Sequence, residues 1–320
     1  MPRALVTGVT GQDGSYLAER LLAEGWAVDG LVRAGDTAGT LVPGVTVHHG
    51  DLAEPGLFRR LLPEASPDVV FHLGGLSSVA RSWQDPGLTA DVTGAATARL
   101  LGAAHALGAS CPRVVVASSA EVFAGSGVVP QDESTPVSPT SPYGAAKAYT
   151  LHLARTYRAA GRFVSAAVLY NHESPRRPHT FVTRTITRGV ASLVLEGGPA
   201  LRLGNLAAVR DWGWAPDYVE AMHRMALADE PGDFVVATGR GHTVEDFVAA
   251  AFAAAGVHDW REHVETDPTL FRPVDGPALV GDATRAREVL GWTPTRGFDD
   301  VVRAMVEADL ARVRSGPATP

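Results

Sequence analysis

Short apolar runs alternate with helix-forming stretches through the first half of the chain, and this rhythm limits the possible folds more than any other feature. The runs cover residues 4–7, 28–32, 45–48, 69–73, 114–117 and 165–169. They lack the polar alternate positions of a strand with one face in water, which is typical of parallel strands covered by helices on both faces. Residues 1–170 are therefore predicted to form a doubly wound parallel α/β domain.

Beyond Tyr170 the rhythm becomes irregular. Helical patterns at 181–195, 217–227, 244–255, 284–290 and 298–313, with a strand-like run at 234–237, predict a smaller mixed lobe over residues 171–320. Parts of 205–240 are expected to rejoin the first domain. The chain of 320 residues exceeds the roughly 250 to 300 at which single cores stop growing. No low-complexity linker divides it, so we expect two lobes that share an interface.

Charge and cysteine content argue against several classes of protein. The chain has 28 Lys and Arg against 35 Asp and Glu, a formal net charge of −7, whereas a nucleic-acid binder needs clustered cations. No apolar run approaches the roughly 20 residues of a membrane span, and the first strand pattern follows Met1 without a secretory signal. Cys111 is the single cysteine, and His258 and His263 lack the spacing of metal ligands. We expect a cytoplasmic protein without a metal, nucleic acid or membrane partner.

The first predicted strand runs into a glycine-rich turn that opens the first predicted helix. Residues 8–14 read Gly-Val-Thr-Gly-Gln-Asp-Gly, with the glycines spaced G-x-x-G-x-x-G. Glycine permits the close backbone approach of a pyrophosphate, and the helix N-terminus stabilises its negative charge. In this strand–turn–helix context the motif predicts a dinucleotide site in a Rossmann sheet. The candidate cofactor residues of the turn are Gly8, Thr10, Gly11, Gln12, Asp13 and Gly14.

Two further strand ends indicate which dinucleotide binds. Arg33 follows the second predicted strand, where an NAD-binding protein carries an acidic residue for the adenosine ribose. An arginine suits the 2′-phosphate of NADP, which is the predicted cofactor; a solvated strand-end arginine is the alternative. Asp51 and Leu52 follow the third strand, where the carboxylate either accepts a hydrogen bond from an adenine amine or caps the next helix.

A hydroxyl, a carboxylate and a Tyr-Lys pair follow the fifth predicted strand. Ser119 and Glu121 come directly after it, and Tyr143 and Lys147 lie four residues apart behind a Ser-Pro helix start. Residues four apart share one helix face. Lys147 should therefore lower the pKa of the Tyr143 phenol and hold the nicotinamide ribose, leaving a tyrosinate that takes a proton from a sugar hydroxyl. This combination predicts hydride transfer, although Tyr-x-x-x-Lys pairs also occur on ordinary amphipathic helices.

The glycine turn, the strand-end serine and the Tyr-x-x-x-Lys pair together resemble the extended short-chain dehydrogenase/reductase family. Longer stretches are similar to the GDP-mannose 4,6-dehydratases within it: Asn-His-Glu-Ser-Pro-Arg-Arg at 171–177, Gly-Asn-Leu at 204–206 and Arg-Asp-Trp-Gly at 210–213. The resemblance implies that Ser119 hydrogen-bonds the substrate hydroxyl, Tyr143 is the acid–base residue and Lys147 tunes it. It also implies cofactor contacts at Leu73, Gly74, Ser77, Tyr143, Lys147, His172 and Arg177. The implied substrate contacts, mostly in the smaller lobe, are Ser78, Glu121, Asn171, Val182, Arg210, Arg272 and Asp275.

Glu121 separates a dehydratase from the other reactions of this family. A simple reductase or epimerase needs no carboxylate two residues after the serine, whereas a 4,6-dehydratase must remove a proton from carbon 5 and expel the 6-hydroxyl. The expected cycle oxidises carbon 4 with Tyr143 as base, lets Glu121 take the acidified carbon-5 proton as water leaves, and returns hydride to carbon 6. A capping or salt-bridged carboxylate is the alternative for Glu121. The alternatives for the chain are a sugar-nucleotide epimerase or reductase, and a catalytically silent NADP-sensing protein.

The chain departs from the family pattern where the sugar and the base are expected to lie. The family's Leu-Gly-Ala-Gln-Ser-His-Val becomes Leu-Gly-Gly-Leu-Ser-Ser-Val at 73–79, and other polar groups are replaced at 185, 207–209 and 274–275. Such losses change substrate discrimination, so GDP-mannose is the default substrate and other nucleotide sugars stay open. Arg210 and Arg272 are the candidates for the diphosphate, with structural salt bridges as the alternative. Loop 34–43 is shorter than the family's tetramer-building loop, so we expect a homodimer through helices near 93–107 and 143–159.

Overall fold

The computed structural model describes residues 1–35, 39–271, 274 and 278–315. In its first half, strands alternate with helices that cross back over the sheet. The strands of this half are β1 (Arg3–Thr7), β2 (Ala27–Val32), β3 (Thr46–His49), β4 (Val69–His72), β5 (Arg113–Ala117) and β6 (Val164–Leu169). Its helices are α1 (Gln12–Ala23), α2 (Leu57–Ala65), α3 (Val79–Gln84), α4 (Pro86–Thr89), α5 (Ala96–Ala106) and α6 (Pro142–Ala159).

The second half combines shorter strands with longer helices. Its strands are β7 (Asn171–Glu173), β8 (Leu201–Leu203), β9 (Val209–Trp214), β10 (Asp233–Val236), β11 (Gly241–Thr243) and β12 (Val264–Thr266). Its helices are α7 (Val182–Glu196), α8 (Ala215–Leu227), α9 (Val244–Ala254), α10 (Thr284–Leu290) and α11 (Phe298–Ser315). A π-helical segment covers Ala90–Ala95, and short 3-10 turns cover Gly108–Ser110, Ala120–Phe123, Trp260–His263 and Pro268–Leu270.

Seven strands form one parallel sheet in the order β10-β6-β5-β4-β1-β2-β3. The chain builds outwards from β1 to β3 in one direction and from β4 to β10 in the other, so β1 and β4 meet at the point where the order reverses. Their register pairs Thr7 with His72, the last residue of each strand. Ligands of open parallel sheets bind in the crevice beyond the carboxyl ends of such strands.

The predicted doubly wound fold is confirmed. Each of the first six predicted strands agrees with the observed one to within one residue at either end. The agreement follows from burial, because helices on both faces require apolar side chains at successive positions. Every residue of β4 and β6, for example, is buried.

The strand-like run at 234–237, which the sequence pattern assigned to the smaller lobe, belongs to the large sheet; it lies within 205–240, parts of which were expected to rejoin the first domain. It forms β10, whose Phe234 lies opposite Ala167 of β6 at the sheet edge. Helix α8 also joins the first domain, where it packs on α1 and places Tyr218 and Met222 in the core of the large sheet. Apolar periodicity marks a strand or helix but carries no information about its partner. The chain between 215 and 236 thus returns to the first domain.

The smaller lobe packs α7, α9 and α11 around a core of its own. A three-stranded sheet in the order β11-β9-β7 and a two-stranded sheet of β12 and β8 accompany these helices. Ile186, Trp212, Phe247 and Val302 are buried in this core. The strands β7, β8, β9, β11 and β12 were not predicted: four of them have only three residues, and β9 mixes Arg210 and Asp211 with its apolar residues, so none forms a continuous apolar run. Within the described ranges, no helix combines the length and apolarity needed to cross a membrane.

Candidate active site

The glycine turn joins β1 to α1 at the point where the sheet order reverses. The Gly11 amide donates to the Gly8 carbonyl oxygen at 3.0 Å, and a Cβ on Gly14 would lie 2.1 Å from that same oxygen. Residue 14 must therefore be glycine for α1 to begin this close to the turn. The N-cap of α1 is Gly11, and among the described residues no side chain caps this end. Its amide donors and dipole are therefore suited to an anion.

A cavity of about 490 Å³ opens at this crevice. Its walls come from the turn, the ends of β2, β3 and β4, helix α3 and the segment before α7. Most of the predicted cofactor residues line it, namely Gly8, Thr10, Gly11, Gln12, Asp13, Gly14, Arg33, Asp51, Leu52, Leu73, Gly74, Ser77 and Arg177. The volume lies within the roughly 300 to 1,000 Å³ of cofactor and ligand sites. An uncapped helix N-terminus and three arginines at its walls, Arg33, Arg81 and Arg177, fit a ligand that carries a pyrophosphate.

The ends of β2 and β3 bring Arg33 and Asp51 to this cavity. Arg33 is exposed and has no ion-pair partner among the described residues, so its charge is available to a ligand. The Asp51 carboxylate accepts from the Ala53 amide at 2.9 Å. The N-cap of helix α2 is instead Gly56, directly before the helix begins at Leu57. The alternative that Asp51 caps this helix is therefore wrong; its side chain closes the turn that follows β3.

Asp13 and His172 form a buried ion pair between the first helix and β7. His172 Nε2 lies 2.9 Å from Asp13 Oδ2, and Nδ1 lies 2.7 Å from the Tyr170 carbonyl oxygen. Burial alone would lower the His172 pKa, but the charge and hydrogen bond of Asp13 raise it overall. The ring also stacks on Tyr218, with centroids 4.6 Å apart. Both imidazole nitrogens thus have partners within the chain, and His172 lies behind Asp13 and not on the cavity wall.

The turn after β5 carries Ser119 and Glu121 to the start of α6. The Ser119 hydroxyl accepts a hydrogen bond from the Glu121 amide at 3.3 Å, and Ser119 is thereby the N-cap of the 3-10 turn. At the start of α6 the Ser141 hydroxyl accepts from the Gly144 amide at 3.0 Å. A Cβ on Gly144 would lie 2.8 Å from the Glu121 carbonyl oxygen. Helix α6 therefore packs directly on the turn that carries Glu121.

Tyr143 and Lys147 lie in the first two turns of α6. Lys147 Nζ donates to the Ala117 carbonyl oxygen at 2.6 Å and lies 5.9 Å from the centroid of the Tyr143 ring. Burial lowers the Lys147 pKa to about 8, although the negative charge of Asp13 acts to raise it. Burial raises the Tyr143 pKa to about 12, although a hydrogen bond with Ser119 lowers it. The expected lowering of the tyrosine pKa by Lys147 is not found: burial raises this pKa, and the neighbouring groups that lower it are Ser119 and Arg177.

Arg177 reaches the cavity from the segment that follows β7. Its Nε lies 3.3 Å from a carboxylate oxygen of Glu173, which is 1% exposed. The same Glu173 oxygen accepts from the Thr183 hydroxyl at 2.6 Å. The guanidinium carbon of Arg177 lies 3.7 Å from the centroid of the Phe181 ring. A carboxylate and an aromatic ring thus hold this cation at the cavity wall.

The predicted substrate residues are spread over several elements. Asn171 begins β7 opposite Trp212 of β9, and Val182 is an exposed residue at the start of α7. Arg210 is buried on β9 and donates from Nη1 to the Val209 carbonyl oxygen at 2.8 Å. Ser78 is the N-cap of α3 and accepts from the Arg81 amide at 3.2 Å. Arg272 and Asp275 lie outside the described residues.

Several residues of the site were missed from the sequence. Arg81 and Phe181 line the cavity, and Glu173 orients Arg177. Glu173 had a signal, since it lies inside the Asn-His-Glu motif, but Phe181 had none, because a ring that supports an arginine leaves no pattern in the sequence. Across the described ranges, no three His, Cys, Asp or Glu side chains are grouped so that they could hold a metal ion.

Known proteins resemble this chain over most of its length. The family described as GDP-mannose 4,6 dehydratase matches residues 5–305. GDP-mannose 4,6 dehydratase 2 of Arabidopsis thaliana is 43% identical over 324 residues, covering 96% of this chain and 86% of the relative. A solved UDP-glucose 4-epimerase of Thermotoga maritima with UDP-glucose is 25% identical with a TM-score of 0.85, covering 96% of this chain and 98% of that one. The solved structure of RMD of Pseudomonas aeruginosa complexed with NADPH is 25% identical with a TM-score of 0.82, covering 97% of this chain and 99% of that one.

Proposed function

The chain belongs to the GDP-mannose 4,6-dehydratase family, and from that membership we propose that it converts GDP-mannose into GDP-4-keto-6-deoxymannose with NADP as cofactor. The observation that carries the proposal is the packing of the turn that carries Glu121 on the start of α6 beside Tyr143, where a Cβ on Gly144 would lie 2.8 Å from the Glu121 carbonyl oxygen. The sugar is oxidised at carbon 4, loses water across carbons 5 and 6, and is reduced at carbon 6. The net reaction is that of a lyase. The single cysteine fits a reducing compartment, and we propose the cytoplasm.

The cofactor would be held by the residues of the cavity. A nicotinamide dinucleotide supplies an acceptor for the carbon-4 hydride and a donor of hydride to carbon 6. The glycine turn and the start of α1 would bind its pyrophosphate, Arg33 its 2′-phosphate, and Asp51 and Leu52 its adenine. Lys147 would hold the nicotinamide ribose. We assign His172 a supporting role, since its imidazole orients Asp13.

Tyr143 removes the proton of the 4-hydroxyl while Ser119 orients that oxygen. A phenol with a pKa of about 12 carries its proton at neutral pH, so it must first release that proton to solvent, and the resulting phenolate takes the 4-hydroxyl proton as hydride leaves carbon 4. The ammonium of Lys147, with a pKa of about 8, is charged at neutral pH. In a buried site such a charge stabilises the negative charge that develops on the tyrosine oxygen far more than it would in water.

Glu121 performs the elimination. The 4-ketone makes the carbon-5 proton acidic, and the Glu121 carboxylate takes that proton and passes it to the 6-hydroxyl, which leaves as water. A proton returns to carbon 5 when carbon 6 is reduced. The backbone of this residue is fixed because the 3-10 turn packs on α6 at Gly144. The carboxylate and the phenol are thus carried by two elements in direct contact, as sequential proton transfers on one sugar ring require.

The substrate would lie between the catalytic turn and the smaller lobe. We propose contacts from Ser78, Asn171, Val182 and Arg210, with Arg210 on the diphosphate, and from Arg272 and Asp275 outside the described residues. Polar residues of the family pattern are absent at 73–79 and 207–209, and a different nucleotide sugar is therefore the main alternative substrate. A 4-epimerase is the second candidate reaction, favoured by the overall likeness to a UDP-glucose 4-epimerase.

Product analysis tests the reaction. The purified chain is incubated with NADP and, in separate samples, GDP-mannose, GDP-heptose, UDP-hexoses and CDP-hexoses, and the products are identified by NMR. We expect a 4-keto-6-deoxy product from GDP-mannose. Epimerised hexose would support the second candidate, and no product from any of these nucleotide sugars, despite bound NADP, would contradict both.

The choice of NADP is tested by replacing Arg33. Loss of a charge-assisted hydrogen bond of about 1.5 to 3 kcal/mol should raise the Kd of NADP by roughly ten- to a hundredfold in Arg33→Ala, with the Kd of NAD unchanged. Arg59→Ala, an exposed arginine on α2 away from the cavity, is the matched control. Tighter binding of NAD than of NADP by the unmodified protein would contradict the proposal.

A further inference from the structure

The segment that presents Arg177 to the cofactor cavity is held from behind by two arginines. Arg184 of α7 donates from Nε to the carbonyl oxygen of Arg177 at 3.0 Å. Arg312 of α11 donates from Nη2 to the carbonyl oxygen of Pro175 at 2.9 Å. Two carbonyl groups of one short segment are therefore fixed by side chains from two different helices of the smaller lobe.

One carboxylate holds both arginines. Asp309 Oδ2 accepts from Nη1 of Arg184 and, at 2.7 Å, from the hydroxyl of Thr187. Its other oxygen, Oδ1, accepts from Nη1 of Arg312 at 2.9 Å. The Asp309 side chain is 2% exposed. It lies on the last described helix, 132 positions along the chain from Arg177, and contacts the segment through these arginines.

Asp309 also supplies the counter-charge for a buried cation. Burial lowers the pKa of Arg184, and the hydrogen bond and charge of Asp309 oppose that shift. Removing one partner of a buried ion pair leaves an uncompensated charge, which disturbs its surroundings far more than the loss of an exposed pair. Without the Asp309 carboxylate, we expect the Arg184 side chain to move towards solvent and to lose its hydrogen bond to the Arg177 carbonyl oxygen.

We propose that Asp309 is a positioning residue for the cofactor site. It holds Arg184 and Arg312 so that the segment 174–177 keeps the Arg177 guanidinium between Glu173 and Phe181, at the cavity wall. The inference rests on the proposed role of Arg177 as a cofactor contact. Displacement of a binding group by about 1 Å can reduce activity roughly a hundredfold, so a remote carboxylate that fixes this backbone has a measurable effect on cofactor binding.

Fluorescence titration with NADPH, with NADH in parallel, measures this effect in the full chain without turnover. We expect Asp309→Asn to raise the Kd roughly tenfold, comparable to the loss of one hydrogen bond to a charged group. Asp309→Glu should restore part of the affinity. In an Arg177→Ala background the same Asp309→Asn change should have little further effect, because Asp309 acts through Arg177. The control is Asp300→Asn on the same helix, where the carboxylate is half-exposed and pairs with Arg303.

Thermal unfolding of the same variants separates positioning from stability. An Asp309→Asn protein with a lower Tm and an unchanged Kd overturns the inference, as does an equal rise in Kd with and without Arg177. If Arg177→Ala itself leaves the Kd unchanged, the proposed cofactor contact fails and the inference fails with it. If Asp309→Asn does not fold, Arg312→Met is the substitute, because it removes only the half-exposed arginine that links Asp309 to the Pro175 carbonyl oxygen. An unchanged Kd in that variant also overturns the inference.

Discussion

Tyr143 and Lys147 are buried side by side, and burial shifts their pKa values apart, from 10.0 to about 12 for the phenol and from 10.5 to about 8 for the ammonium. Both shifts have the same cause, since a low-dielectric environment disfavours the charged form of each group. At neutral pH the phenol is uncharged and the lysine carries its proton. The site therefore holds a neutral acid–base residue beside a cation.

We expect the Lys147 pKa to set the alkaline limit of activity. We expect kcat/KM to fall as the pH rises through about 8, because Lys147 is protonated below that value and loses its charge above it. In Lys147→Arg the guanidinium stays charged, so its lower activity should persist to higher pH. A comparison of the two pH–rate profiles measures this. A wild-type profile that stays flat across the Lys147 pKa would contradict a catalytic role for its charge.

Replacing Glu121 should separate oxidation from elimination. Glu121→Gln keeps the shape but cannot accept the carbon-5 proton, so turnover should fall by roughly 10² to 10⁴-fold, the usual contribution of an acid–base group. NMR in deuterated water follows both product formation and deuterium incorporation at carbon 5. Glu121→Asp, which keeps the carboxylate, should retain more activity. Formation of the 4-keto-6-deoxy product by Glu121→Gln at the wild-type rate would refute this role.

At the scale of the element, the start of α6 determines the geometry of Tyr143 and Lys147, the proposed catalytic pair. Ser141→Ala removes the hydroxyl that accepts from the Gly144 amide at 3.0 Å. Loss of an N-cap costs about 1 kcal/mol of stability, and here it also frees the turn that carries Tyr143. We expect a lower Tm together with a lower kcat, measured by thermal unfolding and steady-state kinetics.

Another capped helix supplies the control for that change. Thr243 caps α9 by accepting from the Asp246 amide at 2.9 Å, away from the cavity. Thr243→Ala should lower the Tm by a similar amount and leave kcat unchanged. If Ser141→Ala also leaves kcat unchanged, the cap of α6 contributes only to stability.

At the scale of the whole molecule, the two lobes are joined beside the cavity. Gln12 of α1 donates from its side-chain amide to the His172 carbonyl oxygen at 3.1 Å and accepts from the Ser174 hydroxyl at 2.8 Å. The Asp13–His172 pair crosses the same junction. Two consecutive residues of the glycine turn thus bind the segment that leads to Arg177, so the cofactor turn and the start of the smaller lobe are held together.

We expect the molecule to be a homodimer through α5 and α6. Tyr149 on α6 is 49% exposed, a large aromatic surface that a partner would cover. Light scattering should report twice the 33.5 kDa of one chain, and Tyr149→Glu should shift the mass towards the monomer. Leu227→Glu, at an exposed apolar position on α8, is the control and should leave the mass unchanged. A tetramer would contradict the expectation.

Local patterns in the sequence were sufficient for six of the seven strands of the large sheet and for much of the candidate site. Apolar runs marked the first six strands because both faces of a parallel sheet are buried. The glycine spacing marked the turn because only glycine tolerates the approach of residue 14 to the Gly8 carbonyl. The Ser-Pro pair marked the start of α6, and with it the shared helix face of Tyr143 and Lys147. Each of these features depends on residues within a few positions of one another.

Only the tertiary structure decided the features that depend on distant partners or on removal from water. It placed β10 beside β6, paired Asp13 with His172, and brought Asp309 behind the segment of Arg177. It also reversed the expected shift of the Tyr143 pKa. Neither sequence spacing nor residue type specifies how much water a side chain loses or which remote group it meets. The sequence by itself therefore determined the elements and the chemical groups, and packing determined which groups meet and how strongly their charges act.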